Sequence, residues 1–317
     1  GVPGEAVNLT PDVAQVLGKA FISWLLHNGA SQVSVAVGTD SRISGPVLKQ
    51  AFIAGMCEAG AKVFDCGLAS TPAMFMTTVA GGKAVTAGVM ITASHLPFNR
   101  NGFKFFTQNG GLEKKDISEI LRLAEENEFT VTNTQFTVTN TQFTVTNAKF
   151  PVTNTKFPVE SWNFIDEYAS FLVNYIRSTA NIASNYVQPL KGLKILVDAG
   201  NGAGGFFASK VLEPLGADTS GSQFLDPDGI FPNHVPNPED KVAMQSVCDA
   251  VVRAKADLGV IFDTDVDRSA IVDAQGKPVN RNALIAMISA VILAEHPGSR
   301  SEERRVGEEC ISRGSPD

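Results

Sequence analysis

Short apolar runs alternate with helix-like segments along this 317-residue chain. Helices are predicted over residues 10–26 and 46–59, and strands over residues 33–37 and 61–65. The pattern resumes with helices near residues 164–178 and 239–254 and strands at 193–197 and 258–262. Strands that alternate with helices are joined as parallel βαβ units, so the sequence predicts an α/β fold.

Length and charge limit the partners. A chain of 317 residues holds two or three domains, and its 44% hydrophobic content is typical of a globular protein. The net charge of -7 argues against nucleic acid or an anionic membrane as the main partner. An anionic substrate would therefore need a local cluster of positive side chains.

The four cysteines, Cys57, Cys66, Cys248 and Cys310, are widely spaced and form no C-x-x-C pair. We expect reduced thiols and a reducing compartment. The apolar run at residues 284–293 is too short to cross a bilayer and suits a packed helix, and we expect no signal peptide. The predicted location is the cytoplasm, with the plastid stroma as the alternative.

A seven-residue repeat interrupts the α/β pattern. Phenylalanine recurs at positions 129, 136, 143, 150 and 157, in a context of Thr, Val and Asn that disfavours a helix. We interpret residues 129–163 as a low-complexity linker between two domains.

A serine, a histidine and a lysine lie near one predicted hairpin. The apolar run 89–91 ends in Thr-Ala-Ser-His, which presents Ser94 and His95 at the carboxyl end of a strand, and Lys104 lies on the strand that follows. One interpretation is a nucleophile with proton-transfer partners. The other is a serine that caps a turn beside an exposed histidine.

Three carboxylates, Asp263, Asp265 and Asp267, follow the predicted strand 258–262 at alternate positions. Their repulsion is costly unless a cation neutralises it, and oxygen ligands favour Mg²⁺. A solvated acidic turn is the alternative.

Three further loops follow predicted strands or precede helices. Residues 38–46 place Arg42 at the mouth of a site or in an ordinary βα turn. The glycine-rich residues 198–205 only superficially suggest dinucleotide binding, and a tight turn is the simpler interpretation. Residues 231–239 form a proline-stiffened loop.

Taken in order, these motifs resemble those of the α-D-phosphohexomutase superfamily. Residues 92–97 resemble the family's T-A-S-H-N-P phosphoserine loop, and residues 101–104 its N-G-x-K extension. Residues 263–268 resemble the metal loop D-G-D-G-D-R, and residues 38–44 the segment G-R-D-x-R-x-S. Leu96, Thr264 and Val266 depart from these patterns, while every metal ligand is retained.

The resemblance implies a fold and a reaction. It predicts consecutive three-layer α/β domains with mixed, mainly parallel sheets. It also implies a phosphotransferase that interconverts the 1- and 6-phosphates of glucose or mannose through a phosphoserine and a hexose 1,6-bisphosphate. The sugar phosphate is then the partner, while the oligomeric state is left open.

The same resemblance assigns the site residues. Ser94 would carry the phosphoryl group, and Lys104 would be the general acid or base if its pKa is lowered. His95, Arg42 and Arg268 would orient phosphate or phosphoserine. Mg²⁺ would be held by a phosphoserine oxygen of Ser94 and by the three carboxylates: Asp263, Asp265 and Asp267.

The domain boundaries follow from the motifs and the repeat. Residues 1–128 are predicted to form domain I, residues 164–270 domain II, and residues 271–297 the start of domain III. Residues 298–317 are dense in charge and are predicted to be a disordered, foreign tail. The family's motifs for its third and fourth domains are missing, so we expect part of a longer protein.

Two rivals are left open. Asp263-x-Asp265 after a strand also resembles the nucleophile motif of haloacid-dehalogenase-type phosphatases. A non-catalytic protein that binds sugar phosphate is the second.

Overall fold

The computed structural model describes residues 8–126, 159–180 and 182–298. The phenylalanine repeat at 129–157 and the tail from residue 299 lie outside them, so the interpretations of both stay predictions. The chain divides into one unit that ends at Pro278 and another that begins at Val279.

A six-stranded mixed sheet forms the first part, in the order β5-β4-β3-β1-β2-β6. The strands β3, β1, β2 and β6 run parallel to one another, whereas β4 runs antiparallel to both β3 and β5. Their bounds are β1 (Ser34–Thr39), β2 (Lys62–Leu68), β3 (Ala87–Ile91), β4 (Phe103–Thr107), β5 (Gly110–Gly111) and β6 (Val159–Ser161). Thus β6, which falls in the predicted linker, is one of the two edge strands of this sheet.

Helices cover both faces of this sheet. On β1, Val35 and Val37 point to one core and Ala36 to the other, as the two-residue period of a strand requires. The helices are α1 (Pro11–His27), α2 (Gly45–Glu58), α3 (Thr71–Val79), α4 (Lys114–Glu126) and α5 (Phe164–Ala180). The first core is shared with α1, α2 and α4, and the second with α3 and the start of α5. The predicted three-layer α/β architecture is confirmed.

A second, three-stranded sheet has β7 (Ile195–Asp198) and β8 (Leu258–Phe262) in parallel, with β9 (Ser269–Asp273) antiparallel to β8. One face packs on α6 (Lys241–Ala254) and the other on a π-helical turn, Phe207–Leu212. The predicted boundary at residue 270 falls inside β9, because Ala270 and Val272 are buried against α6.

The unit from Val279 onward contains α7 (Arg281–Glu295), capped by Asn280. The sequence predicts a packed helix here, but none of the α7 side chains is buried. Among the described residues, no helix is long and apolar enough to cross a membrane.

Helix α5 packs on both sheets of the first unit. Phe164 lies in the core beneath the first sheet, whereas Val173 packs on Val211 and Leu215 beside the second. The two sheets therefore share a buried apolar element, and we expect them to unfold together.

This shared packing can be tested with the two tryptophans, since Trp24 and Trp162 both lie against the first sheet. Val211→Ala removes apolar volume on the side of the second sheet and should cost about 2 kcal/mol. Its urea unfolding midpoint, followed by tryptophan fluorescence, should fall together with the midpoint from circular dichroism. The control Val242→Ala, at a position 66% exposed, should have little effect. A fluorescence midpoint that stays at the wild-type value would show that the sheets unfold independently.

Candidate active site

The Ser94 loop begins where β3 ends. The φ of Ser94 is 51°, in the left-handed region, an uncommon conformation for a residue other than glycine. The Ser94 amide donates to Thr92 Oγ1 at 2.8 Å, and that hydroxyl donates to Asp40 Oδ2 at 2.7 Å. Because Asp40 follows β1, the carboxyl ends of two neighbouring parallel strands hold this loop.

Arg42 is fully buried behind the Ser94 loop, at 1% exposure. Its Nε donates to Asp40 Oδ2 at 3.0 Å, and its Nη1 to the carbonyl oxygens of Pro97 at 2.6 Å and Arg100 at 3.0 Å. Its Nη2 donates to the carbonyl oxygens of Ser94 and of Leu96, the latter at 2.8 Å.

All five N–H groups of a guanidinium are used by these contacts. The sequence predicts that Arg42 orients phosphate or phosphoserine. The structure places Arg42 under the loop that carries Ser94, and it leaves no guanidinium donor for a free phosphate.

The acidic loop brings Asp263, Asp265 and Asp267 together, with carboxylate oxygens within 4.8 Å of one another. Burial, followed by the charges of Asp265 and Asp267, raises the pKa of Asp263 to about 7. The buried Oδ1 of Asp265 has no hydrogen-bond partner among the described residues. A cluster of hard oxygen donors with one free oxygen fits a divalent cation.

Ser94 lies against this cluster. Its Oγ donates to Asp263 Oδ2 at 2.9 Å and accepts from Arg268 Nη2 at 2.5 Å. The same nitrogen of Arg268 contacts His95 Nδ1 at 2.6 Å and Asp263 Oδ2 at 2.8 Å. The predicted Ser94, His95, Arg268 and Asp263 therefore meet at one point.

Lys104 reaches the cluster from β4. Its Nζ donates to Asp265 Oδ2 at 2.6 Å and to Asp267 Oδ2 at 2.7 Å. Burial lowers the pKa of Lys104, but the charge of Asp265 and the hydrogen bonds outweigh it, and the net pKa is raised. The prediction for Lys104 required a lowered pKa, whereas this arrangement holds the side chain as an ammonium.

Sequence reasoning missed Thr71, the first residue of α3. Its amide donates to the Asp265 carbonyl oxygen at 2.8 Å, and its hydroxyl to Asp265 Oδ2 at 2.5 Å. The sequence does contain a typical helix start at this point, with Ser70 as the cap of α3 and Pro72 directly after Thr71.

The glycine turn, residues 199–205, supports the acidic loop from behind. The Ala203 amide donates to the Thr264 carbonyl oxygen at 2.8 Å. A Cβ on Gly202 would lie 2.6 Å from that oxygen, so a side chain does not fit there. This close approach agrees with the tight-turn interpretation.

Comparison with known proteins gives the family. Residues 1–131 match the model "Phosphoglucomutase/phosphomannomutase, alpha/beta/alpha domain I", and residues 166–276 match domain II of the same series. These matches cover more than half of the chain, which therefore belongs to the phosphoglucomutase/phosphomannomutase family.

Individual relatives agree. A phosphomannomutase/phosphoglucomutase of Pseudomonas putida is 31% identical over 300 residues, which cover 94% of this chain and 56% of the relative. A phosphoglucomutase of Neisseria meningitidis is 29% identical over 300 residues, which cover 95% of this chain and 57% of the relative. A crystal structure of a phosphoglucomutase/phosphomannomutase family protein from Burkholderia thailandensis superposes with a TM-score of 0.74 at 26% identity. The match covers 94% of this chain and 58% of that protein. The chain thus spans a little over half the length of these relatives.

The role of Arg42 can be tested by stability. Arg42→Met keeps side-chain volume but leaves Asp40 and the loop carbonyls without their donor. We expect the free energy of unfolding to fall by about 3–5 kcal/mol, as when one partner of a buried ion pair is removed. The matched change on the surface of α4, Arg122→Met, breaks exposed pairs with Glu119 and Glu126 and should cost much less. Equal losses in urea titrations of the two variants would contradict the role given to Arg42.

Proposed function

We propose that this chain carries the phosphoryl-transfer site of a mutase that interconverts hexose 1-phosphate and hexose 6-phosphate. The observation that carries the proposal is the position of Ser94 Oγ, 2.9 Å from Asp263 of the acidic cluster and 2.5 Å from Arg268. A hydroxyl between a cation-binding cluster and a guanidinium is suited to carrying a phosphoryl group.

In the proposed cycle, phosphorylated Ser94 transfers its phosphoryl group to the free hydroxyl of a hexose phosphate. The P–O bond to serine breaks, a P–O bond to the sugar forms, and a hexose 1,6-bisphosphate results. After the bisphosphate turns round, its other phosphoryl group returns to Ser94. Arg268 contacts Ser94, His95 and Asp263, so it can stabilise phosphate charge on either side of the transfer.

Asp263, Asp265 and Asp267, with a phosphoserine oxygen, would hold Mg²⁺. The ion, when bound, supplies positive charge to the transferring phosphoryl group. The free Oδ1 of Asp265 is the observation that supports this ligand set.

Lys104 is the proposed proton-transfer residue. Asp265 and Asp267 hold it as an ammonium, the form that donates a proton to the sugar oxygen when the bisphosphate returns a phosphoryl group to Ser94. In the first transfer Lys104 would accept the proton of the attacking sugar hydroxyl, once Mg²⁺ at Asp265 and Asp267 weakens the attraction of Lys104 to these two carboxylates.

The phosphatase alternative makes Asp263 the nucleophile. Asp263 Oδ1 accepts from the Arg268 amide at 3.1 Å, and Oδ2 accepts from Ser94 and Arg268. Both oxygens are thus engaged, which disfavours attack by Asp263 and favours Ser94.

We further propose that the enzyme works in a reducing compartment, the cytoplasm or the plastid stroma. Cys57, Cys66 and Cys248 are free and buried. Burial raises the pKa of Cys57 and Cys66 to about 12, which leaves these thiols unreactive.

The phosphoserine assignment predicts where label appears. Incubation with Mg²⁺ and ³²P-labelled glucose 1,6-bisphosphate should label Ser94, as mapped by mass spectrometry. Ser94→Ala should abolish labelling without changing the fold, while the α4 surface variant Ser118→Ala should label normally. Label on Asp263 would favour the phosphatase, and no label a protein that only binds sugar phosphate. A coupled assay with glucose 1-phosphate and mannose 1-phosphate then identifies the substrate.

The metal assignment predicts a thermal shift. At a Mg²⁺ concentration of about 100 times Kd, binding should stabilise the fold by about 2.7 kcal/mol and raise Tm. Asp265→Asn should remove this shift, because it weakens the buried ligand with the free oxygen. Asp249→Asn, an exposed change on α6, should retain it. A normal Mg²⁺ shift in Asp265→Asn would point to a plain acidic turn.

A further inference from the structure

A buried ion pair, formed by His234 and Asp198, lies outside the Ser94 site. The two side chains are 1% and 0% exposed. His234 Nε2 lies 3.1 Å from both carboxylate oxygens of Asp198, and Nδ1 lies 3.0 Å from the Val235 carbonyl oxygen. Both ring nitrogens face acceptors, an arrangement that suits a ring protonated at both nitrogens, the imidazolium.

Asp198 anchors the glycine turn. It ends β7, accepts from the Gly200 amide at 2.9 Å and from Gln223 Nε2 at 2.7 Å, and is followed directly by residues 199–205. Through Ala203 this turn holds the backbone of Thr264, which lies between two carboxylates of the cluster.

His234 belongs to a second segment, residues 227–238, which we call the proline loop. Gly229 of this loop lies close to residues 38–45, which we call the Arg42 segment. A Cβ on Gly229 would be 2.4 Å from the Ser41 carbonyl oxygen. The ring of Phe231 stands 5.4 Å from Arg42 Cζ. The proline loop therefore covers the outer side of the residues that hold the Ser94 loop.

The proline loop and the glycine turn are also joined by hydrogen bonds. Asn233 Nδ2 donates to Asn201 Oδ1 at 2.7 Å, and the Asp228 amide donates to the Asn201 carbonyl oxygen at 2.9 Å. The ion pair lies at the buried end of this contact between the proline loop and the glycine turn. A change at the pair can thus reach the acidic loop through one segment and Arg42 through the other.

We propose that His234 is a positioning residue for phosphoryl transfer, which with Asp198 fixes the acidic loop and the Arg42 segment relative to each other. The proposal rests on the function proposed above, because these two segments hold the Mg²⁺ ligands and Ser94. His234 touches neither the reacting groups nor the carboxylate cluster, so it acts only through the two loops.

The pair should respond to pH. Burial lowers the pKa of His234, but the hydrogen bond and charge of Asp198 outweigh it, Asp240 adds to the effect, and the net pKa is raised. Asp198 contacts the ring directly, and Asp240 acts on it through its charge. A base with a raised pKa contributes stability that is complete below the ordinary value of 6.5 and is lost as pH rises through the raised value. We therefore expect the pair to be intact at pH 6.5 and to open on the alkaline side.

The experiment compares the whole chain with His234→Gln by hydrogen exchange and by Mg²⁺ titration calorimetry at pH 6.5. Exchange should become faster in peptides covering residues 38–45 and 260–268, while peptides from α1 serve as the reference. Mg²⁺ affinity should fall about tenfold, the lower end for residues that support a metal site from outside. His27→Gln, at the exposed end of α1, should change neither readout.

A double-mutant cycle tests whether His234 and Asp198 act as a unit. If the pair acts as a unit, the double variant Asp198→Asn/His234→Gln should bind Mg²⁺ no more than about twofold more weakly than His234→Gln alone. Long-range ¹⁵N correlation spectra should show both His234 nitrogens protonated at pH 6.5. Should His234→Gln fail to fold, Gly229→Ala tests the same joint, since its methyl group displaces only the proline loop from the Arg42 segment.

Unchanged Mg²⁺ affinity and unchanged exchange in both segments would overturn the proposal, as would a neutral His234 ring at pH 6.5. Faster exchange spread equally over α1 would reduce the pair to a general stabiliser. None of these measurements requires a phosphorylated serine or turnover. They therefore stand if the Ser94 labelling experiment fails, and the two failures can be told apart.

Discussion

Repulsion among the three carboxylates of the acidic loop constrains the rest of the site. Asp263 and Asp265 are completely buried, so solvent does little to screen their charges. Much of the compensation comes from outside this loop: Lys104 on β4 and Thr71 at the start of α3 both donate to Asp265. The loop of the second sheet is thus held by groups of the first. The site exists only where the two sheets meet, which gives the packing of α5 on both of them a functional consequence.

The Ser94 loop is constrained in a different way. Carbonyl oxygens from Ser94 to Arg100 lie outside regular strands and helices, and buried carbonyls need donors. Arg42 supplies four of these hydrogen bonds from one planar group, while Asp40 neutralises its charge. A loop fixed at several carbonyls leaves Ser94 little freedom, so the hydroxyl is already in place before a substrate arrives. Such pre-organisation lowers the cost of reaching a transition state.

The sequence identified the reactive groups better than the groups that position them. Ser94 and the carboxylates were visible because each follows a buried strand, and strand ends meet at one edge of a sheet. The sequence assigns Arg42 to phosphate or phosphoserine, since a guanidinium in a loop carries no sign of whether its donors are already used. Thr71 was missed because its contact with Asp265 joins residues 194 positions apart, which no local pattern reveals. His234 stood in a segment recognised only as a stiff loop, and its pairing with Asp198 depends on tertiary contacts.

Val266 shows how a departure from the family pattern can be tolerated. The resemblance places glycine at this position, and Val266 adopts a left-handed φ of 68°. For a residue with a Cβ this conformation costs about 1–2 kcal/mol. Two terms offset the cost: valine loses less backbone entropy on folding than glycine, by about 0.5–1 kcal/mol, and its side chain packs against the core of the second sheet. The turn is also fixed by its own backbone hydrogen bonds. The Val266 amide donates to the Asp263 carbonyl oxygen at 3.2 Å, and the Asp263 amide donates to the Arg268 carbonyl oxygen at 3.1 Å. Because the surroundings determine this backbone, the carboxylates remain clustered without the glycine.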